Sequence, residues 1–366
     1  MKKVLIVTKI GKNYGALLKA YALKCAIESL NCNVQILNYA LPSTVSTYEP
    51  YPKITGFKSM RRFLAGLGTY RFQKRSIKKF LSFRDEYFNF TKEYHNFEEL
   101  LQDPPEAQIY FTGSDQVWNP LINFDEAYYL MFAPENTVRA SYAASLGISQ
   151  IPEKYLSEFQ KRVKNITFRS VRESSSRELL LGMNICSSVH IDPTLLLKSE
   201  QYNKLSANIE IKRPFILLYF LIMPSSPEQY IKELKTLYPD HLIVNLHGDL
   251  GTKRIGDVQI ADAGPKEFLS LIRDSEAVVT SSFHGTIFSI IFHRPFLSFL
   301  PQGTGGRILD LLDGLCLSDQ IIFSPNQIEK LKNELPYNEI DVVIEKKQQD
   351  AFKYLKKVVM ASKRTD

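Results

Sequence analysis

Long hydrophobic runs are missing from this chain. The longest, such as Phe215–Met223, fall far short of the roughly 20 residues that span a bilayer and read as buried strands. Cysteine is scarce: Cys25, Cys32, Cys186 and Cys316 have neither paired metal-ligand spacing nor the density of a disulfide framework, and they suit reduced thiols. The histidines show no metal-ligand spacing either, so no metal and no cofactor is expected. The opening MKKVLIVTKIGKN lacks the long apolar core of a signal peptide, because charge returns after Val4–Thr8. These absences set aside an integral membrane protein and a disulfide scaffold, and they point to the cytoplasm.

Acidic residues are missing from two stretches. None occurs before Glu28, and none from Ala277 to Leu309, where His284, His293, Arg294 and Arg307 all fall. Positive charge is also unevenly placed. Residues 53–92 hold 11 Lys/Arg against only Asp85 and Glu86, so with a chain total of +7 the remainder is close to neutral. A single basic segment does not imply general nucleic-acid affinity. Phe57, Phe63, Phe72, Phe80 and Phe83 interleave with its cations. Three readings stand open: peripheral contact with an anionic membrane, a groove for a polyanionic acceptor, or a helix pair whose stripe packs inward while its cations are solvated.

What is present is alternation. Apolar, β-branched runs at Lys3–Thr8, Asn33–Tyr39, Gln108–Thr112, Val138–Leu146, Thr167–Arg172 and Ser188–Leu197 alternate with helical or polar segments. The pattern restarts at Pro214 with Phe215–Leu221, His241–Leu246, Gln259–Ala263, Ala277–Thr280 and Pro295–Leu300. A chain of 366 residues exceeds one ordinary core. The expectation is α/β: two doubly wound, Rossmann-like domains. Residues 1–205 form the first, with a basic aromatic insertion at about 43–105. Residues 206–340 form the second and carry the donor site; a last helix in 341–366 is placed to cross back onto the first. The turn Gly11-Lys12-Asn13-Tyr14-Gly15 lacks the three spaced glycines of a dinucleotide fingerprint, which argues against a nicotinamide or flavin.

The turn Ser281-Ser282-Phe283-His284-Gly285 falls where a strand's carboxyl end meets a helix's amino end. Open α/β sheets bind ligands there, because free N–H groups and the helix dipole favour an anion. Gly303-Thr304-Gly305-Gly306-Arg307 is a second glycine-rich helix entry, headed by arginine. In the first half, Gly113-Ser114-Asp115-Gln116 also follows a strand.

Six motifs in order resemble the polysaccharide pyruvyl transferase family. They are Asn13-Tyr14-Gly15-Ala16 with Ala20-Tyr21-Ala22-Leu23, Gly113-Ser114-Asp115-Gln116-Val117-Trp118-Asn119, and Ser141-Tyr142-Ala143-Ala144-Ser145. Then come Ser170-Val171-Arg172-Glu173, Asp192-Pro193-Thr194, and Ser282-Phe283-His284-Gly285-Thr286 with Pro295-Phe296. The resemblance implies a fold similar to the GT-B glycosyltransferases, with the active site in the interdomain cleft. It implies transfer of the pyruvyl unit of phosphoenolpyruvate onto two hydroxyls of one sugar, as a cyclic ketal, in surface polysaccharide synthesis. His284 is then the catalytic histidine and Arg172 a phosphoenolpyruvate-binding arginine. Asn13, Gly15 and Gln116 join the substrate-binding residues through their motifs. Two positions depart from the family pattern. Ser282 stands where some relatives place a second anion-binding arginine, with Arg307 or Arg294 as substitutes, and Lys19 stands where many have Gln.

Ketal formation from an enol phosphate requires a proton at the terminal methylene carbon. A histidine suits this task. A helix amino end disfavours the imidazolium and a trianionic substrate favours it; the substrate charge is nearer and larger, so His284 is expected to act as general acid. Carboxylate and phosphate call for planar bidentate donors, which Arg172 and Arg307 offer, with Ser281 and Ser282 as neutral donors. Asp115 either receives the sugar hydroxyl's proton or orients the acceptor, and should lie on the acceptor side, away from the trianion. His190 and Asp192 read as structural. The rival function is a nucleotide-sugar glycosyltransferase of the same fold. That chemistry wants a late carboxylate for the ribose hydroxyls; none lies in Ala277–Leu309, although Asp310 and Asp313 follow. The acceptor is a sugar, lipid-linked in one reading, and residues 53–92 then place the protein peripherally on the inner membrane face.

Overall fold

The computed structural model describes residues 1–49, 70–247, 254–303 and 305–362, and their packing divides into two units. The first unit draws on residues 1–45, 85–197 and 343–362. Its sheet holds β1 (Lys2–Val7), β2 (Cys32–Tyr39), β3 (Phe90–Tyr94), β4 (Ile109–Thr112) and β5 (Val138–Ser141), all parallel, in the order β3-β2-β1-β4-β5. Val4, Leu5, Ile6 and Val7 are all buried, as a parallel strand covered on both faces requires. The helix Tyr14–Glu28 crosses from β1 to β2 and starts on Asn13, whose side chain accepts the Ala16 amide at 3.0 Å. A two-stranded parallel pair, β6 (Ser170–Val171) and β7 (Ser188–Val189), meets the main sheet through bridges from Phe168 to Ala140 and from Val171 to Ala144.

The second unit draws on residues 46–84 and 198–342. Its strands β8 (Phe215–Phe220), β9 (Leu242–His247), β10 (Val258–Ile260), β11 (Ala277–Thr280) and β12 (Phe296–Ser298) are again all parallel, in the order β10-β9-β8-β11-β12. Both sheets therefore run third-second-first-fourth-fifth. In such a sheet the connections leave in opposite directions from the first and fourth strands, and the crevice between their carboxyl ends takes ligands.

Three sequence boundaries change. Within the basic insertion, residues 46–49 and 70–84 join the second unit rather than the first, while 43–45 and 85–105, with β3, stay in the first. The insertion's helix, Tyr70–Tyr87, buries Ile77, Phe80 and Phe83, each worth roughly 1.5–3 kcal/mol. Ser76 Oγ donates to the Ala263 carbonyl at 3.0 Å, and Arg75 and Lys79 pair with Asp262 and Glu267 at 2.8 Å. Phe80 and Phe83 are thus spent on packing and do not face a lipid surface, while Arg71, Lys74 and Lys78 stay exposed. Phe57, Phe63, Arg61 and Arg62 lie outside the described residues. Second, the strand expected through Leu146 stops at Ser141, because Ala143 turns into the left-handed region at φ 46°. Third, the terminal helix starts at Tyr337, earlier than expected, and runs to Ala361. From Val343 onward it belongs to the first unit: Lys2 Nζ donates to the Val359 carbonyl at 2.6 Å, and Tyr354 Oη to the Ser141 carbonyl at 2.7 Å. Among the described residues, no helix is long and apolar enough to cross a membrane.

Candidate functional site

In the second unit the turn after β11 is built from hydroxyl-to-backbone bonds. Thr280 Oγ1 donates to the Tyr219 carbonyl at 2.6 Å and accepts the Ser282 amide at 3.0 Å. Ser281 Oγ accepts the amides of Leu221 at 3.0 Å and Ile222 at 3.1 Å, stitching the exit of β8 to the exit of β11. Ser282 caps the helix Phe283–Ile291 by accepting the Gly285 amide at 3.2 Å. The oxygens of both serines therefore build the turn, a role beyond the neutral-donor role expected of them. Gly285 is required by space, since a Cβ there would lie 2.6 Å from Thr280 Oγ1 and 3.2 Å from the Tyr219 ring.

This frame puts His284 in the first turn of the helix, largely buried and edge-on to Phe283 at 5.2 Å. The helix Gly306–Asp313 brings Arg307 to the same place: its guanidinium lies 5.5 Å from the Phe283 ring centre. Arg294 is elsewhere. The helix that starts at Phe283 runs back along the sheet and carries the chain about 13 Å before Arg294 is reached. Arg294 Nη1 donates to the carbonyl of Ser275, which precedes β11, so it sits at the strand-start edge. It cannot replace an arginine at Ser282; of the two substitutes only Arg307 is close to the turn.

The first unit gathers its polar residues at the corresponding point, between the carboxyl ends of β1 and β4. Asn13 is committed to capping, and Gly15 is buried in the helix's first turn. Gly113, at φ 111°, lets the chain leave β4 against the Tyr142 carbonyl, which a Cβ would meet at 2.4 Å. Asp115 then takes φ 74°, a left-handed conformation costing a residue with a Cβ roughly 1 kcal/mol. Its carbonyl accepts the Val117 amide at 2.7 Å and the Ser145 amide at 2.9 Å. The Gln116 side chain lies over Gly147, where a Cβ would come within 1.8 Å of Nε2. Gln116 Nε2 and Ser145 Oγ are buried with no hydrogen-bond partner among the described residues. Buried polar atoms of this kind are nearly always paired, so a ligand is their natural complement.

Arg172 stands differently from expectation. Its side chain is 4 % exposed, with Nε on Glu173 Oε1 at 2.9 Å, Nη1 on Asp192 Oδ2 at 2.8 Å and Nη2 4.0 Å from Asp115 Oδ1. Burial works against its charge, yet Glu173, Asp192 and Asp115 outweigh burial and hold its pKa above the ordinary guanidinium value. A guanidinium ringed by three carboxylates has its charge largely compensated by its neighbours. Arg172 therefore organises the cluster. Asp115 is not set apart from Arg172 as expected but lies beside it. Asp192 is structural as expected, and more: it also caps the turn Pro193–Leu196 through the Thr194 amide at 3.0 Å. His190 is packed, its Nδ1 2.7 Å from Ser170 Oγ and its ring 4.5 Å from Tyr354. Burial lowers its pKa to about 4.

The pairing of Arg172 with Glu173 is one that the sequence offers, whereas Thr8 as a partner of Lys19 is not. The adjacency Arg172-Glu173 was the available signal. Among the described residues, no group of three or more His, Cys, Asp or Glu is arranged to hold a metal ion.

The family model for polysaccharide pyruvyl transferase matches residues 13–302, a span that contains both switch-point loops and His284 but not Arg307. The chain belongs to the polysaccharide pyruvyl transferase family. It is accordingly a transferase of polysaccharide synthesis, working on a sugar acceptor. No curated protein matches this family member in sequence. Solved structures resemble its fold at low identity. A Listeria monocytogenes protein assigned as a UDP-N-acetylglucosamine 2-epimerase has 11 % identity and a TM-score of 0.53, over 97 % of this chain and 90 % of its own. Staphylococcus aureus MnaA with UDP has 13 % identity and a TM-score of 0.52, over 93 % and 91 %. Arabidopsis thaliana UGT89C1 with quercetin has 10 % identity and a TM-score of 0.51, over 98 % of each chain. The pyruvyl transferase thus has a GT-B fold, with two Rossmann-like parallel sheets.

Proposed function

We propose that this family member transfers the pyruvyl group of phosphoenolpyruvate onto two hydroxyls of a sugar, as a cyclic ketal, releasing phosphate. The observation that carries the reading is the second unit's turn. His284 opens a helix there, and Arg307 lies over the ring of its neighbour Phe283, in a stretch without any acidic residue. The His284 imidazolium donates its proton to the terminal methylene carbon, and C2 becomes electrophilic. A sugar hydroxyl adds to C2, its proton passes to a base, and phosphate leaves with the C–O bonding pair. The second hydroxyl then adds to C2, loses its proton, and closes the ring. Arg307 and the amino end of the helix hold the carboxylate and phosphate. The first unit handles the acceptor: Asp115 takes the hydroxyl proton, and Gln116 Nε2 and Ser145 Oγ supply the hydrogen bonds that their burial calls for.

The test is direct. Purified protein with phosphoenolpyruvate and a synthetic galactoside should release phosphate and raise the acceptor's mass by pyruvate less water. His284→Ala should cut this by at least about 100-fold while the circular dichroism spectrum is unchanged. Full activity in that variant overturns the acid assignment. Release of a nucleoside diphosphate from a nucleotide-sugar, with none of phosphate from phosphoenolpyruvate, overturns the donor.

A further inference from the structure

Lys19 is a buried charge that this chemistry leaves unused. It projects from the helix Tyr14–Glu28 and is 1 % exposed. Its Nζ donates to Thr8 Oγ1 at 2.6 Å and to the Ser114 carbonyl at 2.9 Å. Thr8 Oγ1 donates to the same carbonyl at 3.3 Å. The residue after that carbonyl is Asp115, whose left-handed backbone is pinned on its other side by the Ser145 amide. A strained loop residue persists only where its neighbours over-determine it, and Lys19 is one of those neighbours.

We propose that Lys19 is the positioning residue of the acceptor loop: its ammonium clamps the Ser114 carbonyl and so fixes the Asp115 carboxylate for the acceptor hydroxyl. The inference rests on the role given to Asp115 above and deepens it. Four charged groups face the ammonium, each from the exit of a different strand. Asp115 after β4 and Asp192 after β7 attract it, and Lys9 after β1 and Arg172 after β6 repel it. Burial is the largest influence and, with Arg172 and Lys9, overcomes the two carboxylates to bring the Lys19 pKa down to about 8. The clamp's charge is therefore lost just on the alkaline side of neutrality. A glutamine at this position would bond the same carbonyl with an amide that does not titrate.

Lys19→Met and Lys19→Gln separate these roles. At pH 7, amide hydrogen exchange of residues 113–118 should quicken about tenfold in Lys19→Met and stay near wild type in Lys19→Gln. In the transfer assay, kcat of the wild type should fall on the alkaline side through two steps, one from the His284 acid and one near pH 8 from Lys19, and Lys19→Gln should keep only the first. Lys19→Met should lose about tenfold in kcat with the phosphoenolpyruvate KM unchanged. A merely structural lysine would lower thermal stability in both variants and leave the alkaline profile as it is. Unchanged exchange in Lys19→Met, or a wild-type alkaline profile in Lys19→Gln, overturns the proposal. Should the wild type transfer no pyruvyl group, the proposed reaction falls, and the exchange experiment still decides whether the clamp exists.

Discussion

The two sheets share one strand order and place their polar loops at the same topological point, yet they treat charge in opposite ways. Between β1 and β4 the first unit gathers Lys9, Lys19 and Arg172 with Asp115, Glu173 and Asp192, three cations and three carboxylates. Between β8 and β11 the second unit uses Thr280, Ser281 and Ser282 and includes no carboxylate from Ala277 to Leu309. A balanced cluster satisfies itself and holds a loop in shape. An acid-free turn keeps its positive potential for something that arrives. Arginine shows the distinction best: Arg172 is consumed by its neighbours, while Arg307 rests on an aromatic face, half-buried.

That contrast breaks most visibly at the two arginines. Arg172→Met leaves buried carboxylates without a counter-charge and should cost about 3–5 kcal/mol. Urea unfolding followed by Trp118 fluorescence measures it, because this single tryptophan is fully buried in the first unit, stacked 6.2 Å from Tyr129. A loss below about 1 kcal/mol would mean that Arg172 is not the cluster's counter-charge. A middle-sized effect concerns His190. Its folded pKa of about 4 lies below the ordinary 6.5, so between those values the unfolded chain binds a proton that the native one does not. Stability is then lost as pH falls through that window, by roughly 2 kcal/mol between pH 6.5 and 5. The same fluorescence titration at the two pH values should show that loss, and His190→Gln should flatten it. Arg307→Met should show the smallest change in stability, under about 1 kcal/mol, because the side chain is only half-buried and Met keeps an apolar contact with the Phe283 ring. Its phosphoenolpyruvate KM should nonetheless rise about tenfold. A large stability loss with an unchanged KM would make the two arginines alike.

Much of this architecture was legible in the residues. Ala277–Thr280 reads as a strand and is one, because four buried apolar residues end at a run of serines. The turn that follows and the place of His284 came with it. Arg172 was harder to read. Its motif carries arginine and glutamate side by side, but the partner that settles its role, Asp192, lies 20 residues away and reaches it only through the pairing of β6 with β7. Arg294 misled because nearness in sequence ignores the length of a helix, which carries the chain to the opposite edge of the sheet. In the basic insertion, the described helix fits the reading in which its stripe packs inward and its cations are solvated, but not the unit expected to receive it. Its stripe of Ile77, Phe80 and Phe83 announces a buried face, but no local pattern says that the surface covering it includes Ala263.

The terminal helix has a consequence for how the protein is made. Residues 343–362 close the unit that β1 opens, with Ala351, Leu355 and Val358 fully buried in it. The second unit's own residues end at 342. On the ribosome, the unit started first is therefore finished second: its sheet must wait, partly uncovered, while residues 198–342 of the other unit are synthesised. A stop codon just after Val342 would spare the later-encoded unit and cripple the earlier one.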